Sequence, residues 1–259
     1  MLLASCLTLI VAFLAGLDGI LDEWQFYQPI VTCTLIGAAF SDISTGILLG
    51  ATLQIIMSGW INLASVISPD ISFASVTAAI MVCGPAHLQI GQGVLVAIGA
   101  AVIGRLLTIR TRKLMVNIAH KADQAAEISK LSEINRLQWI SMGIQGLRVM
   151  IPSVIVLMLS NVTIGHWFRM IPQSVNTGIN AAASLIAVVG FSIIITTIES
   201  RALWIWFAGG FLIATFFKLT LTFVILLGVV LTILYIIIEN RHNGKKDQSD
   251  PFSDELDDL

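Results

Sequence analysis

The sequence predicts an all-α, polytopic membrane protein, and three observations carry that prediction. Hydrophobic residues make up 56% of the 259 and charged ones only 12%, against roughly a quarter charged in an average soluble domain. Apolar runs of about 20 residues recur, each long enough to cross a hydrocarbon core of ~30 Å. The short alternating segments that a transmembrane barrel needs are not seen. A mean hydropathy of +0.90 agrees.

Leu2–Leu21 reads as the first spanning segment. It lacks a basic n-region and runs straight into Asp18, which argues against a cleavable signal peptide. Pro29–Phe40 and Ile43–Met57 form a pair interrupted at Ser41-Asp42. Trp60–Val82 is apolar but broken by Ser68-Pro69-Asp70, and Gly93–Ile109 follows. These pieces are short, glycine-rich and interrupted. Non-helical backbone at membrane depth survives only where it is buried in protein or lines a cavity. In transporters, such interrupted segments point to the binding site.

The character changes after Arg105, the first basic residue of the chain. Arg105–Arg136 holds Arg110, Arg112, Lys113, Lys121 and Lys130 among Asp123, Glu127 and Glu133, and His120–Ile128 reads as an amphipathic helix outside the bilayer. The positive-inside rule makes this segment cytoplasmic. Leu137–Ser160, Thr177–Ile198, Ala202–Phe217 and Leu219–Ile238 then read as four spans. Four crossings return the chain to the side it left, and Arg241, Lys245 and Lys246 agree. By composition the chain divides into an N-terminal membrane region (1–109), a cytoplasmic amphipathic segment (110–136), C-terminal membrane helices (137–240) and an acidic cytoplasmic tail (241–259) expected to be disordered. Cys6, Cys33 and Cys83 lie in apolar surroundings without metal-ligand spacing and read as packing thiols. The Asn161-Val162-Thr163 triplet in the outer loop is a short pattern with frequent chance matches.

Five carboxylates precede that first cation: Asp18, Asp22, Glu23, Asp42 and Asp70. Ionisable groups at membrane depth are costly and usually face a protein interior or a water-filled cavity. Asp22, Glu23 and Gln25 form one group, in a turn either wetted by headgroups or lining a site. Gln54, Trp60, Asn62 and Asp70 form the second. Gln54 sits mid-segment, where its amide needs a helix–helix partner or a cavity. Trp60 suits an interfacial anchor or a stacking face for a pyranose ring, and Asn62 and Asp70 suit caps or ligands. Carboxylates and amides match the donors and acceptors of a neutral polyhydroxyl solute. Candidate substrate-binding residues are therefore Asp22, Gln25, Gln54, Trp60, Asn62 and Asp70, whereas Asp18, Glu23 and Asp42 look like turn and interface residues.

Catalytic and cofactor chemistry finds little support. His87, His120, His166 and His242 are scattered without partner spacing, so no metal, cofactor or catalytic residue is expected. Gly91-Gln92-Gly93 lacks the lysine and serine of a phosphate loop. The basic segment is juxtamembrane and mixed with acids, which excludes nucleic acid.

At the candidate residues a resemblance becomes specific. Ile20-Leu21-Asp22-Glu23-Trp24-Gln25-Phe26 with Gln28-Pro29, then Asp42-Ile43-Ser44-Thr45-Gly46-Ile47, resembles the N-terminal signature of the permease subunit, enzyme IIC, of mannose/fructose/sorbose-type sugar phosphotransferase systems. Gly50-Ala51-Thr52-Leu53-Gln54, Gly59-Trp60-Ile61-Asn62, Ser68-Pro69-Asp70 and the Pro172–Asn180 region continue it. One departure stands out: the family commonly has glutamate where this chain has Gln54.

The resemblance implies a bacterial cell-membrane permease, with an elevator-type core of re-entrant hairpins moving against a scaffold. It would bind a hexose or amino sugar and translocate it for phosphorylation by a cytoplasmic IIAB phosphohistidine protein. It further implies an enzyme IID membrane partner, a trimer of IIC–IID units, and a receptor role for some bacteriocins or phages. This chain would itself be no enzyme. The competing readings are an ion-coupled secondary sugar transporter and a non-transporting scaffold or receptor.

Overall fold

The computed structural model describes residues 2–58, 60, 68–160, 162–198, 204–218 and 220–246. Its helices are α1 (Leu2–Leu21), α2 (Pro29–Ala39), α3 (Ile43–Met57), α4 (Ile71–Cys83), α5 (Ile90–Glu127), α6 (Leu131–Leu159), α7 (Val162–Arg169), α8 (Gln173–Ile198), α9 (Trp204–Phe217) and α10 (Leu221–Lys246). Among the described residues α1, α5, α6 and α8 are long and apolar enough to cross a membrane. The chain falls into two compact units, Met1–Thr197 and Ile198–Leu259.

The first unit is built around α4. Eleven of its thirteen residues are buried, and it packs against α1, α2, α3, α5 and α6. With apolar side chains on every face, it is a core helix rather than an amphipathic one. Val76, Ala78, Ala79 and Ile80 are fully buried against Cys33, Ile36, Leu49 and Leu53 of the same core. Burial of this kind stabilises by about 25 cal/mol per Å² of apolar area removed from solvent.

α2 and α3 form the expected interrupted pair. At 1.5 Å per residue they rise only about 16 and 22 Å, short of a full crossing. Pro29 opens α2, where its missing N–H costs no helical bond. The reversal is set at Asp42, whose side chain caps α3 by accepting from the Thr45 N–H at 3.3 Å. The two helices then touch backbone to backbone: a Cβ on Gly46 would lie 2.5 Å from the Cys33 carbonyl oxygen.

Three boundaries differ from the sequence reading. α5 is one unbroken helix of 38 residues, so the change to basic composition near 109 falls inside a helix, and His120–Glu127 is its last part. A change in charge content does not by itself end a helix, because the backbone bonds continue through it. α6 begins at Leu131, in the charged segment, and the connection between α6 and α8 holds an additional helix, α7. Asn161 lies outside the described residues. In the second unit α9 has 14 residues, and the apolar part of α10 covers Thr222–Ile237. Edge-on aromatic contacts occur within this unit, Trp204 to Phe207 at 5.5 Å and Trp206 to Tyr235 at 6.2 Å between ring centroids.

Candidate functional site

The turn joining α1 to α2 is organised by one carboxylate. Asp18, in the last turn of α1, is 2% exposed. Its Oδ1 accepts from the backbone N–H groups of Glu23 at 3.2 Å and Trp24 at 3.0 Å, and its Oδ2 accepts from Phe26 N–H at 2.6 Å. Three backbone donors satisfy a charge that burial would otherwise make costly. They also hold the backbone in the left-handed region at Asp22 (φ 55°) and Gln25 (φ 60°), a conformation costing roughly 1–2 kcal/mol for a residue with a Cβ. The Thr32 hydroxyl donates to Phe26 O at 2.6 Å and ties the turn to α2.

That strained turn places a line of side chains in register. The backbone N–H of Ile30 donates to Gln54 Oε1 at 3.3 Å. Gln54 Nε2 donates to Gln28 Oε1 at 2.7 Å, Gln28 Nε2 to Gln25 Oε1 at 2.8 Å, and Gln25 Nε2 to Asp22 Oδ1 at 2.6 Å. Tyr27 donates its hydroxyl to the same Asp22 oxygen at 2.9 Å. Burial first, then the hydrogen bond to Asp22 and its charge, push the Tyr27 phenol up to about 12, so it remains a neutral donor. The relay runs from the half-buried Gln54 on α3 to the exposed Gln25 and Asp22. A wall of this kind offers N–H donors and carbonyl and carboxylate acceptors side by side, the pattern that sugar hydroxyls complement.

The structure thus brings Asp22, Gln25 and Gln54 together and adds Gln28, which had been noted only as part of a motif. Trp60 is half-buried, packs against the core, and donates its backbone N–H to Met57 O at 2.8 Å just beyond α3. Asn62 lies outside the described residues. Glu23 is exposed, and Asp42 is the α3 cap already described.

Asp70 stands in a second cluster. It caps α4, with Oδ1 accepting from Phe73 N–H at 3.1 Å. Its Oδ2 accepts from the Arg148 guanidinium of α6 and from the Thr108 hydroxyl of α5, the latter at 2.9 Å. Arg148 Nη1 also contacts the Thr108 oxygen. The ion-paired side chains are 5% and 4% exposed. Gly104 makes the approach possible, since a Cβ there would lie 2.7 Å from Asp70 Cβ. Both carboxylate oxygens therefore hold protein donors. Among the described residues no hydrogen bond joins Asp70 to the relay.

Arg148 escaped the sequence reading, although it is the only charged residue between Leu137 and Ser160. A lone cation in a span is itself a signal for a buried partner. A further polar join links α5 to α8: Gln92 Nε2 donates to Asn176 Oδ1 at 2.8 Å, and Gln92 Oε1 accepts from the Gln89 N–H at 3.1 Å. Asn176 falls in the Pro172–Asn180 region of the motif pattern.

Comparison with known proteins decides the family. Residues 2–234 match the family model described as the sorbose-specific IIC component of phosphotransferase systems. The chain belongs to this family. It is 37% identical to the mannose-specific EIIC component of Escherichia coli (strain K12) over 238 residues, covering 92% of this chain and 89% of that one. It is also 37% identical to the fructose permease IIC component of Bacillus subtilis (strain 168), over 88% of this chain and 85% of that one. A chain from the cryo-EM structure of the mannose transporter ManYZ in complex with microcin E492 is 36% identical, with a TM-score of 0.60 over 94% of this chain and 98% of that one. Another solved membrane-protein chain is also 36% identical, with a TM-score of 0.86 at the same coverage. This is an integral membrane protein, the permease subunit of a mannose/sorbose-type phosphotransferase system.

Proposed function

We propose that this IIC chain binds a hexose or related sugar along the wall formed by Asp22, Gln25 and Gln54, with Trp60 and Asn62 as further sugar ligands, and translocates it for phosphorylation by a cytoplasmic IIAB protein. The observation that carries the reading is the amide relay ending at Asp22. Among the described residues no lysine or arginine hydrogen-bonds to that relay. Its donors and acceptors therefore suit an uncharged polyhydroxyl ligand. Asp70 serves the same site by another route: it anchors the end of the segment that follows Trp60 and Asn62 while its oxygens stay with Arg148 and Thr108.

In this reading the protein's contribution is positioning, with the acceptor hydroxyl delivered to a phosphohistidine on another protein. The short α2–α3 hairpin and the capped α4 are the parts of an elevator-type core. The basic last part of α5 and the C-terminus face the cytoplasm, as the positive-inside rule expects. Kinship with a chain of the ManYZ–microcin E492 complex supports an enzyme IID partner and a receptor role for a bacteriocin, and the proposed assembly is a trimer of IIC–IID units. The relatives' sugars differ, mannose in one and fructose in another, so the hexose is left open.

Uptake in cells carrying this chain with its IID and IIAB partners tests the reading. Label from 32P-phosphoenolpyruvate should appear on the internal sugar, and an uncoupler should not stop accumulation. Free internal sugar that disappears with an uncoupler would establish the ion-coupled alternative. Absence of any uptake from a fully assembled complex would establish the scaffold or receptor alternative.

A further inference from the structure

The relay has a single polarity, fixed at both ends by chemistry. The Ile30 N–H can only donate, and the Asp22 carboxylate can only accept. Three amides stand between them, and each passes its Nε2 hydrogen to the next oxygen. Reversing any one would set two oxygens or two NH₂ groups face to face. The groups left over at the exposed end are then determined: a second hydrogen on Gln25 Nε2 and on Gln28 Nε2, and the Asp22 Oδ2 atom.

From this arrangement we infer that Gln54 and Gln28 are specificity-determining residues whose amide hydrogens set the donor–acceptor order that Asp22 and Gln25 present to the sugar. The inference rests on the sugar-site reading above and adds which residues impose the pattern. It has a distinctive consequence, because with amides at both positions the relay is complete without any titrating proton. A carboxylate at position 54 would accept from Ile30 N–H and also from Gln28 Nε2. The Gln28 oxygen would then turn to the Gln25 amide, and Gln25 Oε1 would oppose Asp22. In a Gln54→Glu variant only the protonated acid, donating its O–H to Gln28 Oε1, reproduces the native order.

The ionisable groups on the surrounding elements do not relieve that conflict. α1 and its turn supply Cys6, Asp18, Asp22, Glu23 and Tyr27, α2 supplies the Cys33 thiol, and α3 itself is capped by Asp42. α4 brings Cys83 and the capping Asp70, which is already paired with Arg148. α5 has its first cation at Arg105, and α8 has no ionisable side chain. Rising pH removes the proton of the introduced acid and with it the native order.

The test is the KM for phosphoenolpyruvate-dependent uptake of radiolabelled mannose, fructose or sorbose, whichever the wild-type complex takes up. It is read as the ratio of Gln54→Glu to wild type from about pH 4 to about pH 8. The ratio is expected to rise by about tenfold or more from the acid to the alkaline end, the loss expected for a misdirected hydrogen bond to a charged group. Gln28→Glu should show the same trend, and it provides the reading if Gln54→Glu fails to assemble. A pH-independent ratio in an assembled variant would overturn the inference while leaving the sugar-site reading in place. Failure of both variants to assemble even at acid pH would also overturn it, because a protonated glutamate is nearly isosteric with the amide. If the complex takes up none of the three, the same ratio is read with N-acetylgalactosamine and glucosamine, and a wild-type complex that takes up no hexose or amino sugar would overturn the sugar-site reading, and this inference with it.

Discussion

Replacing Arg148 by leucine tests how the first unit is held together. In the native structure Asp70 and Arg148 are almost fully enclosed, at 5% and 4% side-chain exposure. The substitution leaves Asp70 Oδ2 with only the Thr108 hydroxyl, 2.9 Å away. Removing one partner of a buried pair costs about 3–5 kcal/mol, mostly because the remaining charge stays desolvated. The lower half of that range applies here, since among the described residues Arg148 Nε and Gln145 Oε1 are buried without hydrogen-bond partners, so the native pair is incompletely satisfied. At about 2–4 °C of Tm per kcal/mol for a chain of this size, Arg148→Leu should melt roughly 6–16 °C below wild type. Adding Asp70→Asn removes the stranded charge and should recover at least half of the loss. Thermal unfolding of the purified full-length complex in detergent measures both. A single variant melting within about 2 °C of wild type, or a double variant no more stable than the single, would refute the argument that this is a strongly coupled buried pair.

Two further predictions concern the parts that position the site. Gly46→Ala forces a Cβ to within 2.5 Å of the Cys33 carbonyl oxygen. It should lower stability by about 1–3 kcal/mol through overpacking. Gly99→Ala, where a Cβ meets nothing within 4 Å, should be neutral or up to about 1 kcal/mol stabilising; thermal unfolding of the two compares them directly. Asp18→Asn leaves one acceptor oxygen for the three backbone donors of the 22–28 turn. It should raise the KM for sugar uptake by about tenfold while co-purification with IID stays unchanged.

Much of the architecture was legible because it rests on local signals. Leu2–Leu21 and Ile43–Met57 emerge with the bounds that hydropathy and the Ser41-Asp42 break suggest. The pairing of Asp70 with Arg148 was not legible, since 78 residues separate them and no local pattern encodes that distance. Gln28 was hidden for a different reason. Beside Pro29 it reads as a turn residue, and its role appears only when Gln54, 26 residues on, is folded against it. The unbroken α5 was missed because a change in charge content looks like a boundary, whereas helix continuity depends on backbone bonds that charged side chains do not interrupt. Asn62, a proposed sugar ligand, lies outside the described residues.

The central claim is that sugar binds where the relay meets Asp22. Equilibrium binding of radiolabelled mannose, fructose or sorbose to the purified IIC–IID complex, without IIAB, tests it most directly. Binding should be seen for the wild-type complex and fall by about tenfold or more with Asp22→Ala or Gln54→Leu, each removing hydrogen-bonding groups from the wall. Both variants should remain assembled with IID. Wild-type affinity retained in both assembled variants would contradict the account.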